Sequence, residues 1–139
     1  MISHAYSYAI LQYRHDVWVG ESLNAGVLLF SKTARYLKFK ARTGQGRLAG
    51  AYPDLDHAAF RETVRALERR FDRIANESTL FLPTGDAIEI GRKVLVPDDS
   101  SLVWGMTGSG VAFDPEKALD QIFYRFVTKF DKDAGRDVR

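Results

Sequence analysis

Apolar positions run or alternate as strands in three stretches of the chain and recur every three to four residues as helices in two others. From Ala5 to Arg14, Ala-Tyr-Ser-Tyr-Ala-Ile-Leu-Gln-Tyr-Arg is rich in aromatic and aliphatic side chains and lacks Gly and Pro, which predicts a strand. Successive strand residues point to opposite faces, so Tyr6, Tyr8 and Ile10 share one side and Ala9, Leu11 and Tyr13 the other. Both sides are largely apolar, the pattern of a central strand. Val27-Leu28-Leu29-Phe30 reads as a second buried strand and Tyr36 to Ala41 as a third. In the third, Leu37, Phe39 and Ala41 face the core while Tyr36, Lys38 and Lys40 face water. The short connections imply an antiparallel meander.

After Thr43-Gly-Gln-Gly-Arg47 breaks the pattern, Pro53-Asp54 offers a helix start with Asp54 or Asp56 as the cap. Phe60, Val64, Leu67, Phe71 and Ile74 then recur at spacings of four, three, four and three, which predicts an amphipathic helix. Gly85 to Lys93 is a weaker pattern whose type stays open, and Leu102-Val103-Trp104 reads as a short strand leading into a loop from Gly105 to Phe113. Asp114 and Pro115 stand where an N-cap and first helical residue belong, before a stripe of Leu119, Ile122, Phe123, Phe126, Val127 and Phe130. The expected architecture is one α+β domain over residues 1–139. It is a small antiparallel sheet of three to four strands with the two main helices packed on one face, each helix needing a surface for its stripe. Residues 131–139 read as a flexible tail.

Composition narrows this without redirecting it. The chain has 139 residues, 45% of them hydrophobic, enough to bury one substantial core. No apolar run approaches the roughly 18 to 20 residues that cross a bilayer, and Met1-Ile2-Ser3-His4 lacks the order of a signal peptide, so a cytoplasmic protein with no membrane contact is expected. The absence of cysteine excludes disulfides, thiolate catalysis and Cys-based zinc sites. Twenty Lys and Arg against eighteen Asp and Glu give a formal charge of +2, too near balance to demand a polyanionic partner.

The candidate chemistry is sparse. Gly20-Glu21-Ser22-Leu23-Asn24-Ala25-Gly26 joins two buried strands, where a loop positions functional groups well. Glu21 can accept a hydrogen bond or meet a cation, Asn24 can donate and accept, and Gly20 and Gly26 let backbone approach a ligand. The ordinary reading is that Asn24 and Gly26 serve the turn. Arg61, Arg65, Arg69 and Arg73 form a basic row every four residues, which could lie along phosphates; Glu62, Glu68 and Asp72 among them favour a solvated, internally paired face instead. Lys38, Lys40, Arg14 and Arg42 would extend that row if the sheet edge adjoins the helix. Gly105-Met106-Thr107-Gly108-Ser109-Gly110 has no P-loop lysine or dinucleotide fingerprint and reads as a flexible connector. His4, His15 and His57 lack the spacing of a helical zinc site, and no metal or cofactor is expected.

Tyr6-Ser7-Tyr8-Ala9-Ile10-Leu11-Gln12-Tyr13, Gly20-Glu21, Asn24, Gly26-Val27 and Phe30 resemble the bacterial and phage family catalogued as domain of unknown function 3037. Trp104, Gly110, Asp114-Pro115 and the helix from Leu119 to Val127 resemble its C-terminal portion, so the likeness spans nearly the whole chain. Ala25 and Val111-Ala112-Phe113 depart from the family's usual residues. The resemblance implies no activity. It implies a bacterial protein often encoded beside a HipA-like kinase, and hence a protein partner in a toxin–antitoxin or defence setting.

The expected function is therefore a non-catalytic binding or regulatory module. It would dock a protein through the Gly20 to Gly26 loop, with Glu21 and Asn24, and through exposed aromatics such as Trp18 and Trp104. The competing reading is a nucleic-acid-binding protein through the arginine row, or a metal-dependent nuclease using Asp16, Glu21 and Asp114. A homodimer is open if a sheet edge is bare.

Overall fold

A computed structural model describes residues 2–15, 21–42, 47–77, 85–95 and 101–131. The elements in chain order are β1 (His4–Tyr13), β2 (Leu23–Ser31), β3 (Tyr36–Ala41), α1 (Arg47–Ala51), α2 (His57–Ala75), α3 (Ala87–Val94), β4 (Leu102–Ala112) and α4 (Pro115–Phe123), which runs on into a π-helical turn over Tyr124–Thr128. The strands form one antiparallel sheet in the order β3-β2-β1-β4. The α+β class and the β1-β2-β3 meander follow the sequence pattern. No helix among the described residues is long and apolar enough to cross a membrane.

The two long helices lie on opposite faces of the sheet, not on the same one. Ala9, Leu11, Leu28, Phe30, Leu37 and Phe39 pack with Phe60, Val64 and Phe71 of α2, and with α1 and α3. Ile10, Val27 and Leu29 pack with Ala118, Leu119, Phe123 and Val127 of the C-terminal helix. The reason lies in β1 and β2: with both faces of each strand apolar, a helix on one side alone would leave Ile10, Val27 and Leu29 in water. All three are fully buried. Burying each such side chain stabilises by about 1.5 to 3 kcal/mol.

Helix ends follow their capping residues. Asp56 accepts from the Ala59 N–H at the start of α2, and Asp114 accepts from Glu116 N–H before Pro115 at the start of α4. Most of the open segment 85–93 lies in α3, started by a capping box in which the Asp86 carboxylate takes the Glu89 N–H and the Glu89 carboxylate takes the Asp86 N–H. After Phe123 the C-terminal helix widens, with Lys129 N–H donating to Tyr124 carbonyl, five residues back, at 2.7 Å. The stripe therefore ends at Val127, and Phe130, expected in the core, is exposed.

The predicted loop from Gly105 to Phe113 is instead the body of an eleven-residue strand. Its glycines carry no side chain because β1 fills their space. A Cβ at Gly108 would sit 2.3 Å from the Tyr8 ring end, and one at Gly110 2.4 Å from the Tyr6 hydroxyl. Between the pairs Ala9–Thr107 and Leu11–Trp104, one β1 residue faces two β4 residues, which is a β-bulge.

Candidate functional site

At the end of the sheet where β1 finishes and β2 begins, three polar side chains meet over an aromatic cluster. Tyr13 ends β1 and His15 stands two residues on, at a bend, with the two rings 5.8 Å apart. Asp54 arrives from the connection between α1 and α2. Its carboxylate accepts from His15 Nε2 at 2.9 Å, and His15 Nδ1 lies 2.7 Å from the Tyr13 hydroxyl. A carboxylate can only accept, so Nε2 carries the proton and, in the neutral ring, Nδ1 accepts from the Tyr13 O–H. The imidazole stacks on Tyr52, with centroids 4.7 Å apart at 18°, and Tyr13 meets Tyr52 and Phe60 edge-on. Of the two caps the sequence offered for α2, Asp56 does that work, which leaves Asp54 for His15.

This cluster walls an open cavity of about 360 Å³, a volume within the range of ligand pockets. Tyr13, Phe60 and Leu102 line its apolar side; His15, Asp54 and Asp56 line the polar one. No lysine or arginine lines it among the described residues. The electrostatics follow from burial and from the carboxylates. Burial pushes the Tyr13 phenol above its usual range, helped by Tyr52 and Asp54, and burial with the Glu21 charge does the same to Tyr52. The hydrogen bond from His15, followed by one from its own backbone N–H, holds the Asp54 carboxyl below the usual carboxylate range. The site thus presents neutral phenols beside an ionised carboxylate and a histidine of fixed tautomer.

The sequence-predicted residues fall in different places. Glu21 is exposed and close enough to Tyr52 to act on its phenol. Trp18 and Gly20, with Asp16, lie outside the described residues. Asn24 works inside the molecule: its amide donates to the Phe126 carbonyl at 2.9 Å. Beside it Arg42 is buried, with its guanidinium donating to the carbonyls of Asn24 and Val127 and to the Asp131 carboxylate at 2.9 Å. The two side chains take up carbonyls that the last turn of the C-terminal helix leaves without an intrahelical partner. Asp131, expected in the tail, is thereby pinned; 132–139 lie outside the described residues. Gly26 is required by packing, since a Cβ there would meet the Phe39 ring at 2.8 Å.

Trp104 is not an exposed anchor. It is half-buried edge-on against Phe39 and Phe71, lies over Gly91, and donates its indole N–H to the Leu95 carbonyl at 3.2 Å. Glu21 and Asp114 stand at opposite ends of the sheet, since Tyr13 pairs with Leu102 and His4 with Ala112. Ten strand residues, about 30 Å, separate those ends, so Glu21 and Asp114 do not converge. Among the described residues no group of three His, Asp or Glu is placed to hold a metal ion.

The arginine row stays on the outer side of α2, and among the described residues none of its members lies within ion-pair distance of Glu62, Glu68 or Asp72. Lys38, Lys40 and Arg42, which would extend the row if the sheet edge adjoined the helix, are each engaged by a carboxylate. Lys38 pairs with Asp72 at 3.3 Å, Lys40 with Asp120 at 2.9 Å, and Arg42 is buried.

Sequence reasoning missed Tyr13, His15, Tyr52 and Asp54 as a group. The i, i+2 spacing of Tyr13 and His15 was the available signal; the arrival of Tyr52 and Asp54 from some forty positions later was not readable locally. Residues 8–127 match the family model described as Protein of unknown function (DUF3037). No curated protein and no solved structure matches the chain.

Proposed function

The chain belongs to the DUF3037 family, whose description assigns no activity, and from its site we propose that the protein is a binding module that docks a protein partner at the loop end of the sheet. The observation that carries this reading is the cavity between Tyr13, His15, Asp54 and Phe60. It has apolar and aromatic walls, an oriented imidazole and, among the described residues, acidic formal charges alone on its rim, Asp54 and Asp56, with Glu21 nearby in a chain whose overall balance is positive. That chemistry suits a basic side chain of a partner, the guanidinium or ammonium meeting carboxylates while its stem covers aromatic rings. Interface anchors of this kind sit in preformed pockets and account for much of the binding energy.

The test is capture of partners from the native host by the tagged protein, in parallel with its Asp54→Lys variant and with nuclease treatment. The expected result is a stoichiometric protein that survives nuclease and is lost from the variant. A HipA-like kinase, the partner suggested by the family resemblance, is the first purified protein to titrate. Recovery of nucleic acid alone, retained equally by both forms, would overturn the reading and direct attention to Arg61, Arg65, Arg69 and Arg73.

A further inference from the structure

The strand β4 borders the sheet, and from Val103 to Ala112 no described strand pairs with its outer edge. Bare edges are ordinarily blunted by lysine, proline or brevity. This one is long, contains no charged residue and no proline, and exposes Met106 (55%) and Val111 (66%), with Phe113 (60%) just beyond. The other edge, β3, has six residues and carries Lys38 and Lys40, each held in an ion pair. The contrast marks β4 as the edge built for pairing.

We infer that the occupant is a second copy of this chain, paired antiparallel along β4 about a twofold axis at Gly108. A twofold contact sets each residue against a mate from the same patch, so any charge on the strand would oppose charge of the same sign or fix a complementary mate. A segment with none is compatible with itself at every register, and the side-chain sizes then choose one. With Gly108 on the axis, Thr107 faces Ser109 of the second copy and Ser109 faces its Thr107, cross-strand hydroxyl pairs that favour association. The same register sets exposed Met106 beside Gly110 of the second copy, where it would meet the Tyr6 hydroxyl that lies over that glycine. The four-stranded sheet becomes one of eight strands. A stable pair buries about 800 Å² on each copy, about a tenth of the surface of a small protein.

The experiment is sedimentation equilibrium of the full chain, with Thr107→Lys and the double variant Thr107→Cys/Ser109→Cys. The wild type is expected at twice the 15.7 kDa of one chain. Thr107→Lys, its exposed side chain leaving the fold intact by circular dichroism, is expected to weaken pairing about tenfold or more, like charges across an interface costing upwards of 1.4 kcal/mol. Because the chain has no cysteine of its own, the double variant should give a covalent dimer on oxidation, while Thr107→Cys alone, whose two copies stand diagonally, should not. A wild type that sediments as one chain at its highest soluble concentration overturns the inference, including when a foreign protein occupies the edge. So does a dimer indifferent to Thr107→Lys, or one cross-linked as well by the single cysteine as by the pair.

Discussion

Replacing Arg42 with methionine tests how the C-terminal helix is held to the sheet. The guanidinium side chain is 3% exposed and serves the Asn24 and Val127 carbonyls together with the Asp131 carboxylate. Methionine fills much of the same volume, so the loss is polar. Removing one partner of a buried ion pair costs about 3 to 5 kcal/mol because the remaining charge is left without compensation. Asp131 has 13% exposure and sits just beyond the last helical turn, so it can swing towards water; that places the expected loss near the lower end, about 3 kcal/mol. Against a total stability of roughly 5 to 15 kcal/mol this is a large fraction. For a chain of this size it corresponds to a fall in Tm of roughly 10 to 15 °C. Urea denaturation followed by tryptophan fluorescence and circular dichroism measures it, and the double variant with Asp131→Asn shows how much of the loss passes through the ion pair, the two changes being less than additive if they share it. A loss below about 1 kcal/mol, the size of an exposed ion pair, would show that Arg42 is solvated and that the helix end is held by other contacts.

Gly91→Ala should destabilise by about 1 kcal/mol in spite of alanine's better helix propensity, because overpacking costs roughly 1 to 3 kcal/mol and the propensity gain is about 1. The clash is with the Trp104 ring, 2.8 Å from the new Cβ, whereas Gly50→Ala in α1 meets nothing and should stabilise by about 0.5 to 1 kcal/mol; thermal melts of both check the pair of signs. Tyr36 is pushed up to about 12 by burial and by Glu116, Asp120, Asp114 and Asp72, so its share of stability is complete below pH 10.0 and lost as pH rises towards 12. Denaturation curves of Tyr36→Phe should lack that alkaline decline. Asp54 has its carboxyl held below 3.8, so its contribution is present above that pH and fades as pH falls further; in His15→Phe, which keeps the stacking on Tyr52, carboxyl NMR should show Asp54 returning towards its ordinary value.

What the chain displays openly is whatever depends on its own period. The stripe Phe60–Ile74 and the Asp114-Pro115 start are local, and α2 and α4 form where those signals stand. The alternation in β1, with Ile10 opposed to Ala9 and Leu11, already required cover on two sides, although the single stripe of each helix does not say which side it takes. β4 was legible only at Leu102 to Trp104; the rest was hidden because Gly108 and Gly110 answer to Tyr8 and Tyr6, about a hundred positions earlier, so their cause is written on a different strand. The candidate site was hidden for a related reason. Asn24 looked like a ligand-facing residue because its true partner, the Phe126 carbonyl, belongs to backbone at the far end of the chain. His15 looked isolated because Tyr52 and Asp54 reach it only once α1 and α2 have packed on the sheet. At the loop end of the sheet the polar side chains brought together are Tyr13, His15 and Asp54, while Asn24 and Trp104 are engaged within the fold.

Docking of a protein at that convergence is tested most directly by site-specific photo-cross-linking in the native host. A photoreactive phenylalanine analogue replaces Thr63, which lines the cavity from α2 and is exposed, and in a second strain replaces Arg69 on the outer side of the same helix. The predicted result is one protein cross-linked from position 63, absent from position 69, and lost when Asp54→Lys is added. Cross-linking from position 69 alone, or of nucleic acid in place of protein, would contradict partner docking at the cavity.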